Sequence, residues 1–238
     1  MFDLHSHVLP GIDDGAKSVE MSLEMLRTSA EQGVELVVAT PHCVVRKEDS
    51  IANFIEKRKN AYDILMAEVN KNKDKYPKVL LGAEVYLGND ISEYSDIDKL
   101  CYDNTDYILL ELAEGISPSV LAEWVYNINI RGLRPIIAHV DRYVKYKEIM
   151  DEFAHLDLVY QINATRFYTL MGRSMLKSIF KRHNKFYVSS DMHNVTTRPC
   201  NMGGAKAIAD KKFPHLSKML FEDGAKSVLL RKKLNSFT

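Results

Sequence analysis

Cysteine is scarce in this chain and poorly spaced for building structure. Cys43, Cys101 and Cys200 are the only thiols in 238 residues. An odd, scattered set excludes a disulfide framework and a CxxC zinc site, and a reducing cytoplasm is the expected compartment. A surplus of either charge is missing as well: 32 basic residues face 32 acidic ones. No general nucleic-acid coat is expected, because a phosphate backbone selects a basic excess. No run of about 18 apolar residues occurs, so no membrane insertion is expected. The opening MFDLHSHVLP has neither the basic nor the apolar region of a secretory signal. No repeat, low-complexity tract or Pro/Gly-rich linker interrupts the chain. What is there is 46% hydrophobic and 27% charged, an ordinary globular balance. One domain over residues 1–238 is the expectation.

Short apolar runs alternate with amphipathic stretches from end to end. Seven strands are predicted, at 2–5, 35–40, 79–84, 107–112, 135–139, 158–163 and 186–191. Their continuous Val, Ile, Leu and Tyr content reads as buried parallel strand. Helices are predicted between them, at 19–32, 53–72, 117–131, 147–155, 174–183, 202–210 and 215–223. Gly33 and Gly132 are stop signals, and Ser117-Pro118 is a start signal. Strands separated by helices predict βα units in an α/β fold, closing as a barrel rather than an open sheet.

The polar residues fall where those strands end. The first ends in His5 and His7, the second is followed by His42, and the third and fourth end at Glu84 and Glu111. The fifth ends at His139, and the seventh at Asp191 with His193 beyond. Strand carboxyl ends converge on one face of a (β/α) barrel, so these residues are expected to form one cluster. Residues two apart on a strand point the same way, which lets His5 and His7 reach one cation, and Asp191 and His193 repeat the device. The following loop, Gly11 to Ser18, reads as a turn and a helix cap; Asp13 fits that plain role, while Asp14 fits either the turn or a metal ligand. Satisfied core polar groups are the competing reading, but that many buried groups without an ion are costly.

Five imidazoles and four carboxylates exceed the needs of one tetrahedral zinc. Two or three divalent cations use them, with Mn, Fe or Zn suited to mixed nitrogen and oxygen donors. Their surplus positive charge favours an anionic substrate, and phosphoryl transfer to a metal-activated water is the natural chemistry. Arg142 and Arg198 sit at the expected rim as phosphate contacts. Tyr86, Tyr143, Phe167 and Tyr168 fit a substrate rim and core packing equally well.

The segments DLHSHVLPGIDDGAKS, ATPH, GAEVY, LLEL, IAHVDRY and SSDMHN, with Arg198-Pro199, resemble the polymerase and histidinol phosphatase (PHP) superfamily over essentially the whole chain. Within it they are most similar to the manganese-dependent protein-tyrosine phosphatases of bacterial capsule and exopolysaccharide clusters, the CpsB type. The resemblance implies a distorted (β/α)7 barrel with three Mn2+ ions. It implies one metal on His5, His7, Glu84 and Asp191, a second bridged by Glu84 with Glu111 and His139, and a third on Asp14, His42 and His193. Arg142 and Arg198 match phosphate-binding arginines, and the implied partner is a bacterial tyrosine kinase with a tyrosine-rich tail. A thiol nucleophile does not compete: a cysteine phosphatase needs Arg six residues after Cys, where this chain has Asp49, Tyr107 and Lys206. A histidinol-phosphatase-type hydrolase, a PHP nuclease and a catalytically silent module share the ligand pattern and stay open.

Overall fold

The computed structural model describes residues 1–47, 49–183 and 185–230. Every named strand pair is parallel. β1 (Phe2–Ser6), β2 (Leu36–Ala39) and β4 (Lys78–Leu81) form one sheet, in the order β1-β2-β4. β3 (His42–Val44), β5 (Glu84–Leu87), β6 (Tyr107–Leu112), β7 (Arg134–Ile137), β8 (Val159–Asn163) and β9 (Phe186–Ser189) form the other, in that order. One of the seven predicted strands, 79–84, is therefore interrupted, and β3 is an additional short strand beyond the predicted 35–40. Pro41, which has no N–H to donate, breaks the ladder between β2 and β3, and Gly82-Ala83 separates β4 from β5. The last strand returns to the first: Ser6 bridges Met192, the Asp191 N–H donates to the His5 carbonyl at 3.0 Å, and the His7 N–H donates to Met192 at 2.9 Å. The architecture is a distorted (β/α)7 barrel.

Helices follow the strands as expected, with shifted ends. α1 (Val19–Glu31) is capped by the Ser18 hydroxyl, which accepts from the Met21 N–H, and it stops just before Gly33. α2 (Asp49–Val69) starts four residues earlier than the apolar spacing indicates. α3 (Pro118–Ile130) begins with the Ser117 cap and Pro118 in its first turn. α4 (Tyr146–Glu152), α5 (Leu170–Phe180) and α6 (Met202–Lys212) follow. The single helix expected at 215–223 is instead α7 (Pro214–Lys218), a π turn over Met219–Asp223, and α8 (Gly224–Leu230).

Both faces of the strands are buried, which is why their runs read as continuously apolar. Along β6, Tyr107 and Leu109 join a small cluster with Leu4, Val38, Ile136 and Tyr187, whereas Ile108 and Leu110 join the large core. Period-two alternation carries the Tyr107–Leu109 face on to Glu111, near the strand's carboxyl end. The barrel thus changes from apolar packing to polar chemistry within one strand.

Candidate metal centre

Donor atoms bound about 2.1 Å from a cation in tetrahedral directions lie about 3.4 Å apart. His5 Nε2 and His7 Nε2 are 3.4 Å apart. Each is 3.2 Å from Glu84 Oε2, and they are 3.6 and 3.5 Å from Asp191 Oδ1. That is the spacing of donors around an ion, longer than an N–H···O bond of about 2.9 Å.

The remaining donors adjoin this set. His42 faces two ways: Nδ1 lies 3.1 Å from Glu84 Oε2 and 3.9 Å from Glu111 Oε2, and Nε2 lies 3.4 Å from Asp14 Oδ1. The same Asp14 oxygen is 3.3 Å from His193 Nε2. His139 Nε2 is 2.8 Å from Glu84 Oε1 and 3.6 Å from Glu111 Oε1. His7, Asp14, His42 and His193 thus make one possible metal-holding group; His5, His7 and Glu84 make another, and His42, Glu84 and Glu111 a third. The fold gathers all nine residues expected from the sequence. Buried His193 Nε2 has no hydrogen-bond partner, nor has His139 Nδ1. A buried polar atom left alone is costly, so an unpartnered imidazole nitrogen aimed into carboxylates fits a cation.

The fold reaches this arrangement at some conformational expense. His139 (φ 28°) and Asp191 (φ 54°) are two of only three non-glycine residues with positive φ among those described. Such outliers persist only where surrounding structure fixes them, and they cluster at functional sites.

Sequence reasoning missed the groups that aim the donors. Asp13, read as a turn residue, accepts from His7 Nδ1 at 2.7 Å and from the His42 N–H at 3.0 Å. Its other oxygen accepts from the Gly15 N–H at 2.9 Å. Gln161 Oε1 accepts from His5 Nδ1 at 3.1 Å and from the His139 N–H at 2.5 Å. These bonds fix the tautomers that turn His5 and His7 Nε2 toward the centre. Asp3, buried in the first strand, accepts from the Ser190 N–H at 2.9 Å and the Ser190 hydroxyl at 2.5 Å, which places Asp191 beside it. A polar residue inside an apolar strand run was the available signal for Asp3 and Gln161.

Charge follows the same geometry. Burial opposes ionisation of Glu84, but His5, His139 and His42 outweigh it and hold the carboxyl well below its usual range. Burial likewise opposes the charge of Asp13, yet its bond from His7 brings it down to about 2. Burial lowers His193 to about 4, with His7 pushing the same way, so that imidazole is neutral and free to donate its lone pair.

Arg142 Nη1 and Arg198 Nη2 both meet Asp191 Oδ2, at 3.3 and 2.8 Å, leaving Oδ1 to the imidazoles. Both guanidiniums are partly exposed at the mouth. A hollow of about 530 Å³ lies over His139 and Glu111, walled by Tyr86, Tyr143 and Arg142. Phe167 is fully buried core, whereas Tyr168 is half-exposed and donates to the Asn201 carbonyl at 3.0 Å. Among the described residues no helix is long and apolar enough to cross a membrane.

Comparison with known proteins adds an independent line. A family model described as capsular polysaccharide synthesis, CpsB/CapC, matches residues 1–230. Tyrosine-protein phosphatase CpsB of Streptococcus pneumoniae is 29% identical over 248 residues, covering 97% of this chain and 98% of that protein. Tyrosine-protein phosphatase YwqE of Bacillus subtilis is 27% identical over 249 residues, covering 97% and 92%. A chain from the crystal structures of YwqE and Streptococcus pneumoniae CpsB, described as metal-dependent tyrosine phosphatases, superposes with a TM-score of 0.79 at 26% identity, covering 98% of this chain and 96% of that one.

Proposed function

This chain belongs to the capsular polysaccharide synthesis CpsB/CapC family, and from that premise we propose that it is a metal-dependent protein-tyrosine phosphatase, one domain over its length. The observation that carries the reading is the convergence of nine imidazole and carboxylate donors at ion-ligand spacing beneath two guanidiniums. The residues fit three divalent cations: His5, His7, Glu84 and Asp191 would hold one, Glu84, Glu111 and His139 a second, and Asp14, His42 and His193 a third. Manganese is the proposed metal, with iron or zinc compatible with the same donors.

When bound, such cations supply Lewis acidity and a water activated for attack on phosphorus. The chain's own residues do the rest. Arg142 and Arg198 hold phosphoryl oxygens and offset the charge that grows on them. Tyr86 and Tyr143 wall the hollow that accepts the aryl ring. Asp13 and Gln161 keep the imidazoles aimed, so little reorganisation is left to the reaction. No general acid is required for a phenol leaving group, whose pKa is about 10.

The proposed substrate is a phosphotyrosine protein, a bacterial tyrosine kinase with a tyrosine-rich tail that controls capsule or exopolysaccharide synthesis. We place the reaction in the cytoplasm; three buried cysteines that form no disulfide with one another suit a reducing compartment. The test is kcat/KM for matched phosphotyrosine and phosphoserine peptides and for histidinol phosphate, with Mn2+ supplied. The phosphotyrosine peptide is expected to lead. A large advantage for histidinol phosphate would overturn the protein-phosphatase reading and leave the metal chemistry standing.

A further inference from the structure

A second hollow, of about 430 Å³, opens on the Asp191 side of the centre. Arg142 and Arg166 line it and also line the hollow over His139, so these two side chains stand between the two spaces. Arg198 lines it as well, and it contains no aromatic side chain. Three guanidiniums face two carboxylates, Asp141 and Asp191, both already bonded to those guanidiniums. A polar hollow with surplus positive charge suits an anion rather than an aryl ring.

Arg166 has no part in the chemistry described above, yet it is firmly placed. Its Nε donates to Asp141 Oδ2 at 2.7 Å, and Asp141, 1% exposed, also accepts the Asn163 N–H at 2.9 Å. Its two terminal nitrogens make no hydrogen bond among the described residues. The backbone beneath is equally fixed. Gly172 packs so closely that a Cβ there would stand 2.2 Å from the Arg166 carbonyl oxygen. Phe167 is fully buried, and Arg173 donates to its carbonyl at 2.6 Å. A rigid guanidinium with unused donors at a mouth is preorganised for recognition.

We propose that this hollow is a second anion subsite, in which Arg166 binds an acidic group, carboxylate or phosphate, on a residue flanking the phosphotyrosine. The proposal rests on the phosphatase reading and deepens it: the enzyme selects acidic segments, although its own net charge is zero.

The experiment compares kcat/KM for phosphotyrosine peptides flanked by Glu or by Gln, with p-nitrophenyl phosphate beside them. The wild type is expected to favour the Glu peptide by roughly 10-fold or more, the scale of a charge-assisted hydrogen bond. Arg166→Gln brings that ratio close to one. Because it strands the buried Asp141 carboxylate, Asp141→Asn/Arg166→Gln is made as well, with a melt for each. A phosphoserine-flanked peptide separates the two sources: a gain above Glu assigns phosphate, and a gain below Glu assigns carboxylate. Equal rates for Glu and Gln peptides in the wild type, or a ratio that survives in a folded variant, overturns the subsite. Failure of the Mn2+-loaded wild type to hydrolyse p-nitrophenyl phosphate or any peptide overturns the phosphatase reading itself.

Discussion

Glu84 Oε1 lies 2.8 Å from His139 Nε2, although β6 separates the strands from which the two residues come. The other Glu84 oxygen faces His5, His7 and His42. One carboxylate therefore joins donors from both sheets.

Glu84→Gln removes that junction while keeping the side chain's size. The variant is expected to bind fewer divalent ions per chain and to lose turnover by at least about 10²-fold, since Glu84 is itself a shared donor and even the groups that only support a ligand are worth about 10–100-fold. The wild type is expected to hold more than one ion and to stop on exhaustive chelation. Elemental analysis of both proteins is the check. A fully active, metal-free wild type would sink the metal centre.

Arg198→Ala is expected to lower kcat by roughly 10²–10³, the usual scale for losing one donor to transition-state charge. Metal content should stay near that of the wild type, because Arg198 holds Asp191 Oδ2 and not the oxygen that faces the imidazoles. Loss of metal along with turnover would make Arg198 a support for Asp191 instead.

Gly15→Ala should cost stability directly. A Cβ at this position would stand 2.1 Å from the His7 carbonyl oxygen and 2.4 Å from His7 Cβ. The backbone must shift, at about 1–3 kcal/mol on the scale of overpacked interiors, and Asp13 shifts with it. The measurement is the denaturation midpoint together with metal affinity; an unchanged midpoint would show that the loop yields freely.

Thiol reagents should leave the native enzyme working. Cys43 adjoins His42 in sequence, but strand alternation turns it into the large core, 1% exposed. Burial pushes its thiol up to about 12, and that of Cys200 likewise. The protonated form then dominates throughout the range below that value, and only the thiolate reacts. Alkylation near pH 8, followed by mass spectrometry and assay, should find these two thiols unmodified and turnover intact. Rapid modification of Cys43 with loss of activity would contradict the packing.

How much could be read in advance follows from where the physics is local. His5, His7, Glu84, Glu111, His139 and Asp191 were legible because parallel strands end on one face, and a polar residue closing an apolar run stands out. The short strand β3 beyond Pro41 and the break at Gly82-Ala83 are not legible, since three residues make too short an apolar run and Gly82-Ala83 does not disturb the pattern; only the ladder feels them. Asp13 stayed hidden because its partners, His7 and the His42 amide, come from two different strands and its spacing satisfies an ordinary turn. Nothing in the local sequence marks Arg166, because the buried Asp141 that anchors it lies 25 residues away. The split of the last helix reflects packing against β9 and the first strand, which no local propensity encodes.

The Asp3–Ser190 clasp spans 187 residues of sequence. His5 and His7 are synthesised well before Asp191 and His193, which come most of the described chain later. Until β9 docks against β1, the imidazoles made first have no Asp191 to complete their set. A chain cut before Asp191 therefore lacks part of the donor set, and the set comes together only once the last strand has closed against the first.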